Sequence, residues 1–186
     1  GAGSGSNSAT NTVIHPTAGT VIALSGAGQS AGNPLLLNNL RVEPVGSYGI
    51  DMGNAQFVRM DNVYVVGPTP ATIENEVCLK VSEGSDISDL TIVNSAFNYC
   101  DDGWYFAKNK TDIGGPNVRN VYVANTTFDH NSYKGIYVEK LSDAVFENVT
   151  VTNNGLLPYY NDKWNAGFDI NLKGQVAYKN LVFKNM

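Results

Sequence analysis

The chain of 186 residues has few charged side chains, no long apolar run and only two cysteines, and each shortage excludes a class of protein. Charged residues make up 16% of the sequence, and 12 Lys and Arg face 17 Asp and Glu, which gives a net charge of −5. Nucleic acids are bound through clustered Lys and Arg, so we expect no nucleic-acid partner. No apolar run approaches the roughly 18 residues of a transmembrane helix, so we expect no membrane insertion.

The two cysteines, Cys78 and Cys100, are 22 residues apart and do not have the spacing of a metal site. They stand at different offsets from the strands predicted below, and a disulfide requires Cα atoms within about 7 Å of each other. We therefore expect two separate cysteines that pack in the interior, rather than a bridge.

Repetition is what the sequence has in abundance. An Asn or Asp followed by an apolar-x-apolar unit occurs six times, beginning at Asn39, Asn62, Asp89, Asn120, Asn148 and Asn180. The leading apolar residues of these copies are separated by 23, 27, 31, 28 and 32 residues. Repeats at steps in this range are typical of solenoids, in which each repeat forms one coil.

A second series of apolar-x-apolar units alternates with the first. Its copies are Val21–Leu24, Gly49–Met52, Cys78–Val81, Gly103–Phe106, Gly135–Val138 and Gly167–Ile170. Each repeat thus carries two short strands with period-2 alternation, and no room remains between them for helices. We predict that two strands and corners of Gly, Asn and Asp close one coil.

Stacked coils place equivalent residues about 4.8 Å apart, so each series should form an inward-facing apolar ladder. The same stacking should bring polar corner residues into register. Asn tolerates left-handed backbone angles, and its amide can bond to the amide of the next coil. We therefore expect a stacked corner row formed by Asn94, Asn125, Asn153 and Asn185.

The strongest candidate for chemistry is the acid pair Asp101 and Asp102, which directly precedes the strand predicted at Gly103–Phe106. Glu76 and Lys134 occupy corresponding positions in the neighbouring repeats, so stacking predicts that three carboxylates and one amine share a groove. Converging carboxylates can hold Ca²⁺ while Lys134 abstracts a proton α to a uronate, which is β-elimination. Alternatively, the acids serve glycoside hydrolysis. Asp before Gly is also ordinary turn chemistry.

The repeat period and corner residues resemble those of the right-handed parallel β-helix proteins, the superfamily of pectate lyases, polygalacturonases, alginate epimerases and phage tailspikes. The resemblance covers residues 20–186. It implies an all-β, single-stranded right-handed parallel β-helix of about six coils. It also implies an extracellular or cell-surface protein whose partner is a polysaccharide.

Within this superfamily, the Asp-Asp-Gly-aromatic sequence that begins at Asp101 is similar to the calcium-binding motif of family 9 pectate lyases. The similarity implies Asp101 and Asp102 as catalytic or metal-binding acids, Glu76 as a further metal ligand and Ca²⁺ as a candidate cofactor. Two positions depart from that motif, because Tyr105 stands where a further acid is expected and Tyr137 where the catalytic Lys would lie. The Gly-His-Gly and Arg-x-Lys signatures of the hydrolases are absent.

A sugar-binding surface is predicted more clearly than a reaction. The outward residues of the second series are Asp51, Lys80, Tyr105, Tyr137 and Asp169. Two tyrosines should therefore stand on adjacent rungs, where flat aromatic faces can stack on sugar rings. Further candidate substrate-binding residues close in sequence are Tyr133, His130, Tyr160 and Trp164.

Three functional hypotheses remain open: a polysaccharide-active enzyme, with a lyase favoured over a hydrolase; a non-catalytic carbohydrate-binding or adhesive module; and a structural stalk. Residues 1–12 have the composition of a cloning remnant or flexible linker, and residues 13–186 are predicted to form one β-helix domain. The last predicted strand is not followed by a cap. We therefore expect either a piece of a longer protein or an end-to-end contact at the open coil.

Overall fold

The computed structural model of the chain describes residues 12–25, 30–68, 76–82, 84–106, 117–155, 165–172 and 177–186. In these ranges the regular elements are sixteen strands, β1 Thr12–Ile14, β2 Ile22–Ser25, β3 Leu35–Val42, β4 Ile50–Gly53, β5 Gln56–Val66, β6 Leu79–Val81, β7 Ile87–Val93, β8 Ala96–Asn98, β9 Asp102–Phe106, β10 Val118–Ala124, β11 Thr127–Asp129, β12 Lys134–Glu139, β13 Leu141–Glu147, β14 Thr150–Thr152, β15 Ala166–Asn171 and β16 Leu181–Lys184. None of the described residues forms a helix of the length and hydrophobicity that crossing a lipid bilayer requires.

A parallel sheet of six strands runs along one side of the solenoid, in the order β15-β12-β9-β6-β4-β2. Its central column of paired residues is Ile22, Ile50, Leu79, Trp104, Ile136 and Phe168. This register confirms the stacking predicted from the second series. Trp104 and Ile136 lie on neighbouring rungs and are both fully buried.

The other sheet has ten strands and a branched topology. Its main order is β14-β11-β8-β5-β7-β10-β13-β16, with β3 and β1 attached beside β5. The long strand β5 pairs with β7 through its first half and with β8 through its second half. From this point on, each coil carries three strands, so the prediction of two strands per coil was wrong for the later coils.

The first sequence series consequently does not form a single ladder. Leu90 pairs with Val58 rather than Val63, and Val121 pairs with Ala144 rather than Val149. Each later coil has two neighbouring strands with the same apolar alternation, separated by an Asn or Asp. Alternation alone does not distinguish equivalent strands of successive coils, and this ambiguity produced the register error. Most of the residues are still buried as predicted, because both strands face the same core.

The core is a continuous column of stacked apolar side chains. Phe97 and Phe128 stack with their ring centroids 5.2 Å apart, and Trp104 lies 6.4 Å from Phe146. Each large side chain that is fully buried contributes about 1.5–3 kcal/mol of transfer free energy. Since a single coil cannot bury these residues alone, contacts between coils hold the fold together.

The corner row of asparagines exists, with a different membership from the one predicted. Its members are Asn39, Asn62, Asn94, Asn125, Asn148 and Asn185, which all have φ between 49° and 57°. The Asn148 amide donates to Asn125 at 3.2 Å, and the Asn185 amide donates to Asn148 at 3.1 Å. Asn153 does not belong to this row, because it follows β14 at the next corner and donates to Asp129. The positive φ favours Asn, since its short polar side chain tolerates this conformation.

Gly135, inside β12, leaves no room for a side chain. A Cβ added there would lie 2.5 Å from the Gly167 carbonyl oxygen and 2.6 Å from Val151 Cγ1. We expect Gly135→Ala to lower the free energy of unfolding by about 2–3 kcal/mol, because one contact is backbone and cannot turn aside. Urea unfolding measures the change. Gly32→Ala is the control, since a Cβ at Gly32 meets nothing within 4 Å. Equal stabilities for the two variants would contradict close packing around Gly135.

Candidate functional site

An open cleft of about 320 Å³ lies on the outer face of the six-stranded sheet. It is lined by Tyr48, Val77, Lys80, Asp101, Asp102, Tyr105 and Tyr133. These residues belong to successive coils, so stacking brings together side chains that are far apart in sequence. The acid pair and three tyrosines therefore share one surface.

Tyr105, Tyr48 and Lys80 of the cleft lining make ring contacts, Tyr105 with Tyr137, which lies outside the lining, and Lys80 with Tyr48. Tyr105 and Tyr137 occupy adjacent rungs, and their ring centroids are 5.4 Å apart at an interplanar angle of 38°. One rung earlier, the Lys80 ammonium lies over the Tyr48 ring, 3.7 Å from its centroid. The row of outward side chains predicted from the sequence is thus present in register, with Lys80 paired to Tyr105.

Lys134 is buried and its amine is engaged. Its Nζ donates to Asp169 Oδ2 at 2.8 Å. The same nitrogen lies 4.1 Å from the Tyr137 ring centroid and 4.9 Å from that of Tyr133. A catalytic base must offer a lone pair to a substrate proton. Lys134 instead donates to a carboxylate and lies beside two rings, and its role as a base stays a prediction.

Asp102 is the most unusual acid of the site. It is 3% exposed, pairs in register with Lys134, and its Oδ1 has no hydrogen-bond partner among the described residues. Burial, reinforced by the nearby Asp101 charge, raises the pKa of Asp102 well above its usual range, and Lys134 opposes this shift only in part. Such surroundings favour the protonated form of a carboxyl group, which can donate a hydrogen bond.

Asp101 lies beside Asp102 on the cleft wall and has a defined partner. The Ser132 hydroxyl donates to Asp101 Oδ1 at 3.0 Å. Its backbone is fixed on both sides, because the Asp101 amide donates to the Glu76 carbonyl and the Tyr133 amide donates to the Asp101 carbonyl. The acid pair is therefore held by three successive coils.

The Glu76 side chain does not join this pair. Its Oε1 accepts a hydrogen bond from the Gly46 amide, one coil earlier, and burial raises the pKa of Glu76. Among the described residues, no three His, Cys, Asp or Glu side chains are grouped so that they could hold a metal ion. Ca²⁺ requires six to eight oxygen ligands, and this donor set does not fit it. Binding of calcium by Glu76, Asp101 and Asp102 stays a prediction.

Cys78 and Cys100 form a disulfide with a Cα–Cα distance of 5.6 Å, so the expectation of two separate cysteines was wrong. The number of residues between each cysteine and its strand does not give the distance between the two cysteines, because the chain turns a corner between them. The chain turns between β8 and β9, and the Cys78 amide bonds to the Asp102 carbonyl at 2.9 Å, which brings the two coils together at this point. The bridge ties the corner that carries the acid pair to the preceding coil.

The remaining predicted residues lie elsewhere. His130 stacks on Tyr99, with ring centroids 5.1 Å apart, and its Nδ1 is 2.7 Å from Asp129 Oδ2. It is not among the residues that line the cleft. Tyr160 and Trp164 lie outside the described residues, so their roles stay predictions.

Sequence reasoning missed Tyr48, although a signal for it was present. In the six-stranded sheet, one position of the repeat lies two residues before the first inward residue of the strand, and it is occupied by Tyr48, Val77, Asp102 and Lys134. Stacking this position next to the row of outward residues would have predicted that Tyr48 lies beside Lys80.

Comparison with known proteins supports the architecture. A family model described as a right handed beta helix region matches residues 2–186. No curated protein and no solved structure is similar enough to the chain to count as a match. The family match spans nearly the whole chain and agrees with the stacked parallel strands. The chain therefore belongs to the right-handed β-helix family.

Proposed function

We propose that this protein recognises a polysaccharide through the cleft on the six-stranded sheet. The observation that carries the proposal is the tyrosine pair Tyr105 and Tyr137 on adjacent rungs, beside Lys80 and the acid pair. Aromatic faces stack on the apolar face of a sugar ring, and carboxyl, hydroxyl and amine groups bind its hydroxyls. Adjacent rungs about 4.8 Å apart offer a repeated surface for a repeated ligand.

We further propose that the protein works outside the cell. The disulfide between Cys78 and Cys100 supports this location, because disulfides persist in oxidising compartments and are rare in the cytosol. Polysaccharides of cell walls and capsules are found in the same surroundings.

Binding is favoured over β-elimination by the contacts of Lys134, the predicted base, and of Tyr137, which stands where the motif has its catalytic Lys. Lys134 donates to Asp169, and the Tyr137 hydroxyl donates to Glu139. Burial, followed by the hydrogen bond to Glu139, raises the pKa of Tyr137. Neither group is arranged to remove a proton from a substrate, and this argues against the lyase hypothesis.

Glycoside hydrolysis is the second candidate function, and the buried Asp102 with its raised pKa favours it. In such a reaction Asp102 would protonate the glycosidic oxygen as the bond from that oxygen to the anomeric carbon breaks. Asp101 would take a proton from the water that attacks the anomeric carbon. The raised pKa of Asp102 suits the role of the acid, and Asp101 lies next to it on the cleft wall.

The binding proposal is tested by calorimetric titration with a panel of neutral and uronic hexasaccharides. We expect at least one to bind, and Tyr105→Ala to weaken that binding about tenfold or more through loss of one stacking face. Tyr122→Ala is the matched control, because Tyr122 is 39% exposed on the other sheet. An absence of binding to the whole panel, or equal losses in both variants, would contradict the proposal.

Turnover separates the candidates once a binding saccharide is known. New reducing ends without new unsaturated ends, which disappear in Asp101→Asn and Asp102→Asn, would establish hydrolysis. New unsaturated ends would establish elimination and revive the lyase hypothesis. Binding without either product would identify a recognition protein.

A further inference from the structure

A second cleft lies on the ten-stranded sheet, away from the acid pair. It has a volume of about 340 Å³ and is lined by Ala31, Pro34, Phe57, Val58, Arg59, Asp89, Thr91 and Asn120. The cleft runs across β5, β7 and β10, and the turn before β3 forms one end of it. None of its lining residues belongs to the cleft on the other sheet.

Phe57 has a backbone conformation that its residue type disfavours. Its φ is 51°, in the left-handed region. The neighbours Gln56 and Val58 pair with Ser88 and Leu90, so Phe57 is the counterpart of Asp89.

The other members of this corner row are Asp89, Asn120, Asp143 and Asn180, with φ of 57°, 53°, 51° and 54°. Asp and Asn visit the left-handed region readily, whereas other L-residues lose roughly 1–2 kcal/mol there. Phe57 alone in the row is aromatic, and it is half-buried in the cleft wall rather than part of the fully buried core. Backbone strain of this kind is concentrated at functional sites.

The polar groups around Phe57 are nearly balanced in charge. Arg59 Nη2 lies 2.9 Å from Asp61 Oδ2, which neutralises the guanidinium but leaves several of its five N–H groups for other acceptors. Asn120 donates to Asp89 Oδ1 at 3.3 Å, and Thr91 also lines the cleft. The wall therefore offers donors and acceptors without a dominant charge, next to one aromatic ring.

We propose that this second cleft binds an uncharged pyranose ring of a saccharide. The ring stacks on Phe57, and its hydroxyl groups bond to Arg59, Asp89 and Thr91. This composition, one aromatic face and a few convergent polar groups in a concave surface, is that of a small-ligand site. The site differs from the first cleft because it contains no buried acid pair. It does not depend on whether the first cleft binds or cleaves its ligand.

The test uses the full chain carrying Tyr105→Ala, so that the first cleft is weakened and the second is measured. The probes are neutral gluco-, manno-, galacto- and xylo-configured hexasaccharides, followed by saturation-transfer NMR and calorimetry. We expect at least one to bind and Phe57→Asn to weaken it tenfold or more. Phe57→Tyr, which keeps a ring, should bind within threefold of the parent.

Stability separates a binding role from a packing role. Asn suits the left-handed backbone, so we expect Phe57→Asn to melt at the same temperature as the parent or higher. A lower melting temperature would assign Phe57 to packing and overturn the proposal. Asp89→Asn keeps the shape at its position but loses a carboxylate, and we expect several-fold weaker binding. Failure of every neutral hexasaccharide to bind, or binding that is unchanged in Phe57→Asn, would also overturn it, whatever the first cleft does.

Discussion

Replacing both cysteines by Ala, in Cys78→Ala with Cys100→Ala, is expected to lower the free energy of unfolding by about 3 kcal/mol. The bridge closes a loop of 22 residues, and a crosslink of that span removes about this much entropy from the unfolded chain. The substitutions also delete two buried sulfur atoms. Urea unfolding of the variant and of the wild type, at one pH and salt concentration, measures the difference.

Wild-type protein with and without reductant provides the control, because reduction opens the crosslink and leaves the sequence intact. Thiol titration of the denatured chain should find no free thiol before reduction and two afterwards. Two free thiols in the untreated protein, with an unfolding midpoint that reductant does not change, would contradict the bridge. They would also remove the support that it gives to an extracellular location.

Replacing Asp102 by Asn is expected to stabilise the protein at neutral pH. The folded-state pKa of Asp102 is raised well above 3.8, so between those two values the folded protein holds a proton that the unfolded chain has lost. The proton stabilises the folded protein fully at pH values below the pKa that Asp102 has in the unfolded chain. This stabilisation is lost as the pH rises toward the pKa of Asp102 in the folded protein, by up to about 1.4 kcal/mol per pH unit. Asn is neutral throughout, so Asp102→Asn removes this loss.

The gain in unfolding free energy should therefore be small near pH 4 and grow as the pH rises toward 7. Denaturant unfolding at several pH values measures it. Asp51→Asn is the control, because Asp51 lies on the outward row of the same sheet and accepts from Ser82. A gain that does not vary with pH would contradict a raised pKa for Asp102, and an equal gain in the control would show that the gain does not come from burial at this position.

The six-stranded sheet could be predicted from the sequence because each coil contributes one strand to it. Ile50, Leu79 and Trp104 have no neighbouring strand of the same pattern on their side, so alternation and spacing were enough. The other side of the coil was ambiguous, because β7 and β8 have similar apolar alternation. Only the pairing in the structure shows which half of β5 each of them lies beside. The sequence pattern indicates an inward face but does not identify a partner strand.

The outward row of the candidate site was predictable for the same reason, since register places Lys80, Tyr105 and Tyr137 on successive rungs. Side-chain direction at the corners was not. Glu76 turns to the Gly46 amide, and Lys134 turns to Asp169. The position of a residue within a repeat does not determine such rotamers, because they depend on which polar group of a neighbouring coil is within reach.

The central claim is that the cleft beside Tyr105 and Tyr137 binds a saccharide, and mapping of the bound ligand by NMR tests it most directly. The ¹⁵N-labelled protein is titrated with the hexasaccharide that binds best in calorimetry. The largest chemical-shift changes are expected at Tyr48, Lys80 and Tyr105, with further changes along β9 and β12. Changes confined to other surfaces, or no changes at a saturating concentration, would contradict the account.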